Sequence, residues 1–186
     1  MNYINQTGYW SHDVPQEQHA HSHELSAWIV NFLKDHKDKQ IIDFGCGNGN
    51  YLRDLKAAGF SHLIGVEGDP IPNNDVPIIQ ADLTSYIDLH KKGVVICLEV
   101  GEHIPQEYES MLLDNIDRHC EDILILSWAV VGQGGFGHVN LLNNNEVISK
   151  FTALGFTYLQ KDSEAARLVI SNNCQWFKNT ILIFKK

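Results

Sequence analysis

A glycine-rich turn at 45–49 carries the clearest chemical signal in the sequence. Gly45, Gly47 and Gly49 follow an apolar run that contains Asp43, and apolar residues at helical spacing resume after them. This order predicts a strand, a tight loop and the N-terminus of a helix. Glycine permits positive φ angles and close approach to a ligand, and a helix N-terminus offers unpaired N–H groups. The segment therefore predicts a site for a nucleotide-type ligand.

The position of the third glycine separates two classes of ligand. A dinucleotide fingerprint reads G-x-G-x-x-G, but this chain has Asn50 at the last position and its third glycine one residue earlier, at Gly49. The spacing therefore disfavours a nicotinamide oxidoreductase. For the loop alone, an ordinary strand-to-helix turn without a ligand is the alternative, because short motifs often mislead.

Carboxylates follow three later apolar runs of the chain. Glu67, Asp82 and Glu99 each lie at or just after the end of such a run, and another run ends at Trp128. In a parallel sheet, ligands bind beyond the carboxyl ends of the strands, and an acidic residue at the offset of Glu67 binds ribose hydroxyls. We therefore expect Asp43, Glu67, Asp82 and Glu99 to surround one ligand.

Four histidines near the N-terminus suggest a metal site at first sight. They are His12, His19, His21 and His23. Their alternating spacing does not place ligands on one helix face, and no paired cysteines accompany them. We therefore predict no metal site there and interpret the segment 9–23 as an extended lid over the ligand.

Seven short apolar runs suit β-strands, and amphipathic patterns between them suit helices. The runs lie around 41–44, 63–66, 78–79, 94–98, 123–126, 156–159 and 181–184. The helical patterns lie at 25–33, with Ser22 as N-cap, after the glycine turn, after Pro105, and at 146–154. Strands that alternate with helices predict an α/β fold with a mostly parallel sheet and helices on both faces.

Length and composition fit one domain. The chain has 186 residues, 44% of them hydrophobic, without repeats or linkers, and we expect a lid with an amphipathic helix at 1–39 and a core at 40–186. The net charge of −9 argues against broad attraction to nucleic acid or anionic lipid. Four scattered cysteines, and no apolar run as long as a membrane span, favour a cytoplasmic protein with reduced thiols.

Four motifs in order resemble the class I S-adenosylmethionine-dependent methyltransferases over nearly the whole chain. They are D-F-G-C-G-N-G at 43–49, G-V-E-G at 65–68, A-D-L at 81–83 and L-E-V-G-E-H-I-P at 98–105. The E-H-I-P element and the later G-H-V-N are similar to the ubiquinone-biosynthesis-like branch, whose members methylate small molecules. The resemblance implies a single-domain Rossmann-like methyltransferase fold with a seven-stranded sheet. It also implies S-adenosylmethionine as cofactor and S-adenosylhomocysteine as product.

The same resemblance assigns residues to the cofactor. The glycines would admit its methionine part with Asp43 near the ammonium, Glu67 would bind the ribose, and Asp82 would bind the adenine amino group. The implied set is Asp43, Gly45, Cys46, Gly47, Gly49, Glu67, Gly68, Asp82, Leu83, Leu98 and Glu99.

The acceptor side of the reaction is less clear from the sequence. A sulfonium methyl needs no protein nucleophile, so the enzyme mainly aligns the reactants, and a hydroxyl acceptor also benefits from a general base. His138, in a glycine-rich loop, and His103 are the candidate bases. The alternatives are that His103 supports its loop and that His138 caps the next helix. Trp128 and Phe136 either line the acceptor pocket or pack in the core.

Several functions fit these motifs. A small-molecule or saccharide acceptor is expected, most simply a hydroxyl, and no nucleic-acid or membrane partner is expected. A cofactor-binding module without catalysis is one alternative. Protein or nucleic-acid methylation is another, although the chain lacks an N-P-P-[YF] motif and has Leu98-Glu99-Val100-Gly101 in its place. The sequence does not indicate the methylated atom or the oligomeric state.

Overall fold

A sheet of seven strands organises the protein, whose computed structural model describes residues 4–11, 20–69, 75–171 and 173–186. The strands are β1 (Ile41–Phe44), β2 (Leu63–Glu67), β3 (Ile78–Gln80), β4 (Gly93–Cys97), β5 (Cys120–Ser127), β6 (Thr157–Tyr158) and β7 (Ile181–Lys185). The helices are α1 (His23–Phe32), α2 (Asn50–Ala57), α3 (Glu109–His119), α4 (Asn144–Ala153), α5 (Gln160–Leu168) and α6 (Phe177–Thr180).

The strand order is β3-β2-β1-β4-β5-β7-β6. Neighbours from β3 to β5 are parallel, and β7 is antiparallel to both β5 and β6. The chain first moves outward from β1 to β3 and then returns to β4 on the other side of β1. Ligands of open α/β sheets bind at such a reversal. The predicted Rossmann-like fold with a mostly parallel sheet is therefore confirmed.

Helices cover both faces of the sheet. On one face, residues such as Ile41, Ile96 and Ile125 pack in a cluster that includes buried side chains of α1, α2 and α5. On the other face, Phe44 and Leu124 belong to a cluster with buried side chains of α3 and α4. The central strands are buried on both faces, as expected for continuous apolar runs. In the described part of the chain, no helix is long and apolar enough to span a membrane.

Local capping signals were mostly readable from the sequence. The Ser22 hydroxyl accepts a hydrogen bond from the Leu25 N–H at 3.2 Å, so Ser22 is the predicted N-cap of α1. Pro105 is followed by a short 3-10 turn, Gln106–Tyr108, and α3 begins only at Glu109. Helices α5 and α6 were not predicted, because α5 is polar with few apolar residues and α6 is a single turn.

Candidate active site

A cavity of about 350 Å³ opens at the carboxyl ends of β1, β2 and β4. Every predicted site residue except Gly49 lines it; Gly49 instead precedes α2 with a φ of 74°. The predicted residues that line the cavity are Asp43, Gly45, Cys46, Gly47, Glu67, Gly68, Asp82, Leu83, Leu98, Glu99, His103 and His138. The expectation that carboxylates from separate strand ends meet around one space therefore agrees with the structure.

The first turn after β1 requires glycine for steric reasons. Gly45 has a φ of 72°, and a Cβ at this position would lie 2.4 Å from Cγ2 of Val100. Gly47 also has a positive φ, of 51°. Because L side chains avoid both conditions, the loop can pass close to the cavity only with glycine here. The backbone N–H of Gly47 is thereby placed 2.8 Å from an oxygen of Glu67.

Asp43 is an acid without a partner at the base of the cavity. Its side chain is 3% exposed, and its Oδ2 atom has no hydrogen-bond partner among the described residues. Burial, with a smaller contribution from Glu67, raises the pKa of Asp43 well above its usual value. An unpaired buried oxygen is costly, so this geometry suits a ligand that brings a donor to Asp43.

Glu67 is held in place by the backbone of the loops beside it. Its two oxygens accept hydrogen bonds from the N–H groups of Gly47 and Gly68, each at 2.8 Å. Burial raises the pKa of Glu67, and these N–H donors oppose that rise. A carboxylate oxygen has a second lone pair, so Glu67 can also accept hydroxyl hydrogens from a ligand.

The N-terminal segment lies over the part of the cavity that is lined by Asp82 and Gly68. The Thr7 hydroxyl donates to Oδ2 of Asp82 at 2.7 Å, while Oδ1 of Asp82 accepts from the N–H and hydroxyl of Thr84. Tyr9 packs closely on Gly68: a Cβ added to Gly68 would lie 2.3 Å from the Cγ atom of Tyr9. The lid was predicted for 9–23; Tyr9 and Trp10 do line the cavity, whereas 12–19, including His12 and His19, lies outside the described residues.

Two acids, one of them missed by the sequence analysis, lie together beyond β4. Glu99 has a φ of 54°, an unusual value for a residue other than glycine, and its carboxylate accepts from Nε2 of Gln133 at 3.0 Å. Glu102 is fully buried, and neither of its oxygens has a hydrogen-bond partner by geometry among the described residues. Burial and the nearby Glu99 raise the pKa of Glu102 well above its usual value. Glu102 belongs to the E-H-I-P element, but the sequence does not reveal its burial.

Two histidines face each other beside these acids. The rings of His103 and His138 are 5.1 Å apart at 71°, and each Nδ1 lies 3.3 Å from a backbone carbonyl, of Gly137 and Gln133 respectively. Burial and His138 lower the pKa of His103 to about 4, and burial also lowers the pKa of His138. Both imidazoles are therefore neutral at pH 7.

Two structural alternatives for the acceptor side are settled. His138 does not cap α4, because Asn143 and Glu146 form a capping box at that helix. Trp128 does not line the cavity: it is fully buried, and its Nε1–H donates to the carbonyl of Asn140 at 2.7 Å. Phe136, by contrast, does line the cavity and is partly exposed. The sequence analysis missed Gln133 and Trp176 as lining residues, since neither belongs to a recognisable motif.

Comparisons with known proteins bear on the family and the fold of the chain. Residues 17–154 match the model of a family described as a methyltransferase domain. No protein of curated function matches the sequence. A solved structure of magnesium protoporphyrin IX methyltransferase from Synechocystis PCC 6803 with bound S-adenosylhomocysteine is 18% identical, with a TM-score of 0.60, 87% of this chain and 81% of that chain covered.

Two solved sugar methyltransferases are also similar in fold. The sugar N-methyltransferase KedS8 from Streptoalloteichus sp ATCC 53650 is 13% identical with a TM-score of 0.62, covering 88% of this chain and 87% of that one. The amino pentose methyltransferase CalS10 from Micromonospora echinaspora is 13% identical with a TM-score of 0.63, covering 91% and 94%. Because the family model spans well over half of the sequence, the chain belongs to the methyltransferase-domain family.

Proposed function

We propose that the protein binds S-adenosylmethionine in this cavity and transfers its methyl group to a hydroxyl of a small molecule or saccharide. The acceptor oxygen attacks the methyl carbon in line with the C–S bond. The bond breaks with its electron pair going to sulfur, and S-adenosylhomocysteine leaves. Because the sulfonium is already activated, the protein contributes mainly alignment of the two reactants.

The cofactor end of the proposal rests on three carboxylates and the glycine turn. Asp43 offers an unpaired oxygen to the methionine ammonium, and Glu67 offers free lone pairs to the ribose hydroxyls. Asp82 lines the same cavity and is assigned to the adenine amino group. Solved relatives of the same fold hold S-adenosylmethionine or S-adenosylhomocysteine, which supports this choice of ligand. The remaining predicted contacts are Gly45, Cys46, Gly47, Gly49, Gly68, Leu83, Leu98 and Glu99.

The acceptor end rests on the histidine pair. His103 and His138 are neutral, close to each other and part of the cavity wall. A neutral imidazole assists removal of a hydroxyl proton, either as a base or as a ligand of a cation that acidifies the hydroxyl. Two relatives are described as acting on sugar nitrogen or an amino pentose, so amines belong in any acceptor screen.

The size of the cavity limits what the acceptor can be. About 350 Å³ is at the lower end of the range for ligand pockets, and the cofactor would take much of it. We therefore expect the acceptor to present one group to the part of the cavity that Phe136 and Gln133 line. With a net charge of −9, the protein does not favour a nucleic acid in that position. The four described cysteines are free and buried, which fits the reducing cytoplasm.

The observation that carries the proposal is the convergence of Asp43, Glu67 and Asp82 on one cavity whose other end holds a neutral histidine pair. Turnover of labelled S-adenosylmethionine against a panel of sugars, phenols and amines tests it. Methylation of hydroxyl compounds is the expected result. Transfer to amines alone would contradict the hydroxyl acceptor. Tight cofactor binding with no transfer to any compound would favour a binding module.

His138→Ala tests the acceptor end within that assay. We expect kcat to fall by about 100-fold or more, with an unchanged affinity for S-adenosylhomocysteine, because the side chain assists only the transfer step. His62→Ala, at an exposed position away from the cavity, is the matched control. A normal kcat in His138→Ala would reduce the mechanism to alignment of the two reactants.

A further inference from the structure

A fully buried acid, Glu102, lies behind the histidine pair at the acceptor end of the cavity. Glu102 is fully buried, its oxygens have no hydrogen-bond partner by geometry among the described residues, and its nearest charged neighbour is a second acid, Glu99. Two ionised carboxylates in contact repel each other and need either a shared proton or a cation between or beside them. A buried pair of acids beside neutral nitrogen ligands is therefore a position that suits a cation.

Two neutral nitrogen ligands complete a site around this carboxylate. One oxygen of Glu102 and one ring nitrogen each of His103 and His138 all lie within 4.8 Å of one another. In a tetrahedral site with bonds of about 2.1 Å, two ligand atoms are about 3.4 Å apart. The ligand atoms therefore need to approach one another by up to about 1.4 Å, which requires rotation of the side chains when the ion binds.

The histidines are also oriented as metal ligands usually are. The Nδ1 atoms of His103 and His138 lie 3.3 Å from the carbonyl oxygens of Gly137 and Gln133. A carbonyl oxygen only accepts, so in a neutral imidazole Nδ1 carries the proton and Nε2 keeps its lone pair. Ligating histidines almost always donate their other ring N–H in this way, because it fixes the ring and its tautomer.

We propose that Glu102, His103 and His138 bind one divalent transition-metal cation at the acceptor end of the cavity. Two imidazoles and one carboxylate favour Mn²⁺, Co²⁺ or Zn²⁺ over Mg²⁺ or Ca²⁺, which prefer all-oxygen sites. Three protein ligands leave open coordination positions, as catalytic rather than structural metal sites do. The left-handed backbone of Glu99, next to this group, is the kind of strain that collects at functional sites.

This inference rests on the proposed function. It assigns the acceptor hydroxyl to an open coordination position of the cation. An acceptor hydroxyl bound to the cation becomes more acidic, as metal-bound water does. It releases its proton to solvent water, and the resulting alkoxide attacks the methyl carbon while the C–S electron pair moves to sulfur. His138 then acts as a ligand and not as the base.

The test is direct titration of the full-length protein, first treated with a chelator, with Mn²⁺ and with Zn²⁺. Calorimetry and the electron paramagnetic resonance of Mn²⁺ should show one ion per chain. Glu102→Gln removes the charge but keeps the shape, and His138→Ala changes a residue that is only partly buried. Each should weaken binding by about 100-fold or more, because loss of a ligand exceeds the cost of losing its supporting partner.

A second cluster in the chain provides the control. His21, His23 and Asp54 also place ligand atoms within 4.8 Å of one another, but His23 is exposed and the His21–Asp54 contact of 3.1 Å already pairs the acid. His23→Ala should bind the ion normally. The proposal is overturned if the wild type binds neither ion, or if His23→Ala loses the ion while Glu102→Gln retains it.

Titration with S-adenosylhomocysteine separates this inference from the function on which it rests. The chelated wild type and Glu102→Gln should both bind S-adenosylhomocysteine normally, since the cation lies at the acceptor end. Binding of S-adenosylhomocysteine without any binding of Mn²⁺ or Zn²⁺ would retain the proposed methyltransferase function and reject the cation site. Turnover that rises with Mn²⁺ occupancy in the wild type, but not in Glu102→Gln, is the expected catalytic readout.

Discussion

Burial of the Asp43 carboxyl lowers the stability of the folded protein, but it also leaves an acceptor for a ligand. The native protein holds this carboxyl almost fully buried beside Glu67, which raises its pKa above the value of the unfolded chain. Above pH 4 the unfolded chain releases the proton more readily than the native state does. Stability is therefore lost as the pH rises from about 4 through the native pKa of Asp43. A ligand that donates to Asp43 removes part of this cost.

Asp43→Asn should separate these two effects. Without the charge, we expect a melting temperature about 2–4 °C higher at pH 8, corresponding to about 1 kcal/mol, and a smaller gain at pH 5. Affinity for S-adenosylhomocysteine should fall, because the ammonium loses its acceptor. Thermal melts at the two pH values and a calorimetric titration measure both. A variant that is less stable than the wild type at pH 8 would contradict the burial argument.

The glycine turn makes a second prediction at the scale of single residues. Gly45→Ala places a Cβ against Val100 at a φ of 72°, so we expect a loss of about 1–2 kcal/mol in the free energy of unfolding. Gly134→Ala is the matched control, because its Cβ position has no atom of the described residues within 4 Å apart from its neighbours in the chain. Chemical denaturation compares the two. Equal stability of both variants would show that the turn accommodates side chains.

Among the elements, the N-terminal segment 4–11 packs over the cavity without belonging to the seven-stranded sheet or to a helix. An isolated bridge between Ile4 and Trp10 closes it, and its polar link to the core is the bond from Thr7 to Asp82. Ring contacts of Trp10 with His103 and Phe136 bring it close to the acceptor end as well. The segment therefore touches both ends of the cavity.

We expect the segment 4–11 to exchange its amide hydrogens more slowly when S-adenosylhomocysteine is bound, because the ligand adds a surface beneath it. Hydrogen exchange with and without the ligand measures this. Amides of β7, which lies next to the edge strand β6 at the end of the sheet opposite β3, serve as the internal reference and should not change. Equal exchange of the segment in both states would exclude its role as a lid.

For the whole molecule, the spacing of the apolar residues and the turn-forming residues between the apolar runs were enough to predict the sheet. Continuous apolar runs mark strands buried on both faces, and a carboxylate follows several of them, so the cofactor end of the cavity was readable. The acceptor end of the cavity could not be predicted from such local patterns. The burial of Glu102 and the approach of His138 to His103 depend on where two loops meet, and no local pattern records that. Helix α5 was missed because tertiary packing of Ser163 and Ala166 stabilises a polar segment.

The most direct test of the account is a calorimetric titration of the wild type and Glu67→Ala with S-adenosylhomocysteine, with NAD as the competing ligand. The account predicts that S-adenosylhomocysteine binds one to one and that NAD gives no heat. Glu67→Ala should lose about 1.5–3 kcal/mol, or about 10- to 150-fold in affinity, because the ribose hydroxyls lose a charged acceptor. Binding of NAD in place of S-adenosylhomocysteine, or an unchanged dissociation constant in Glu67→Ala, would contradict the assignment of this cavity to the methyl donor.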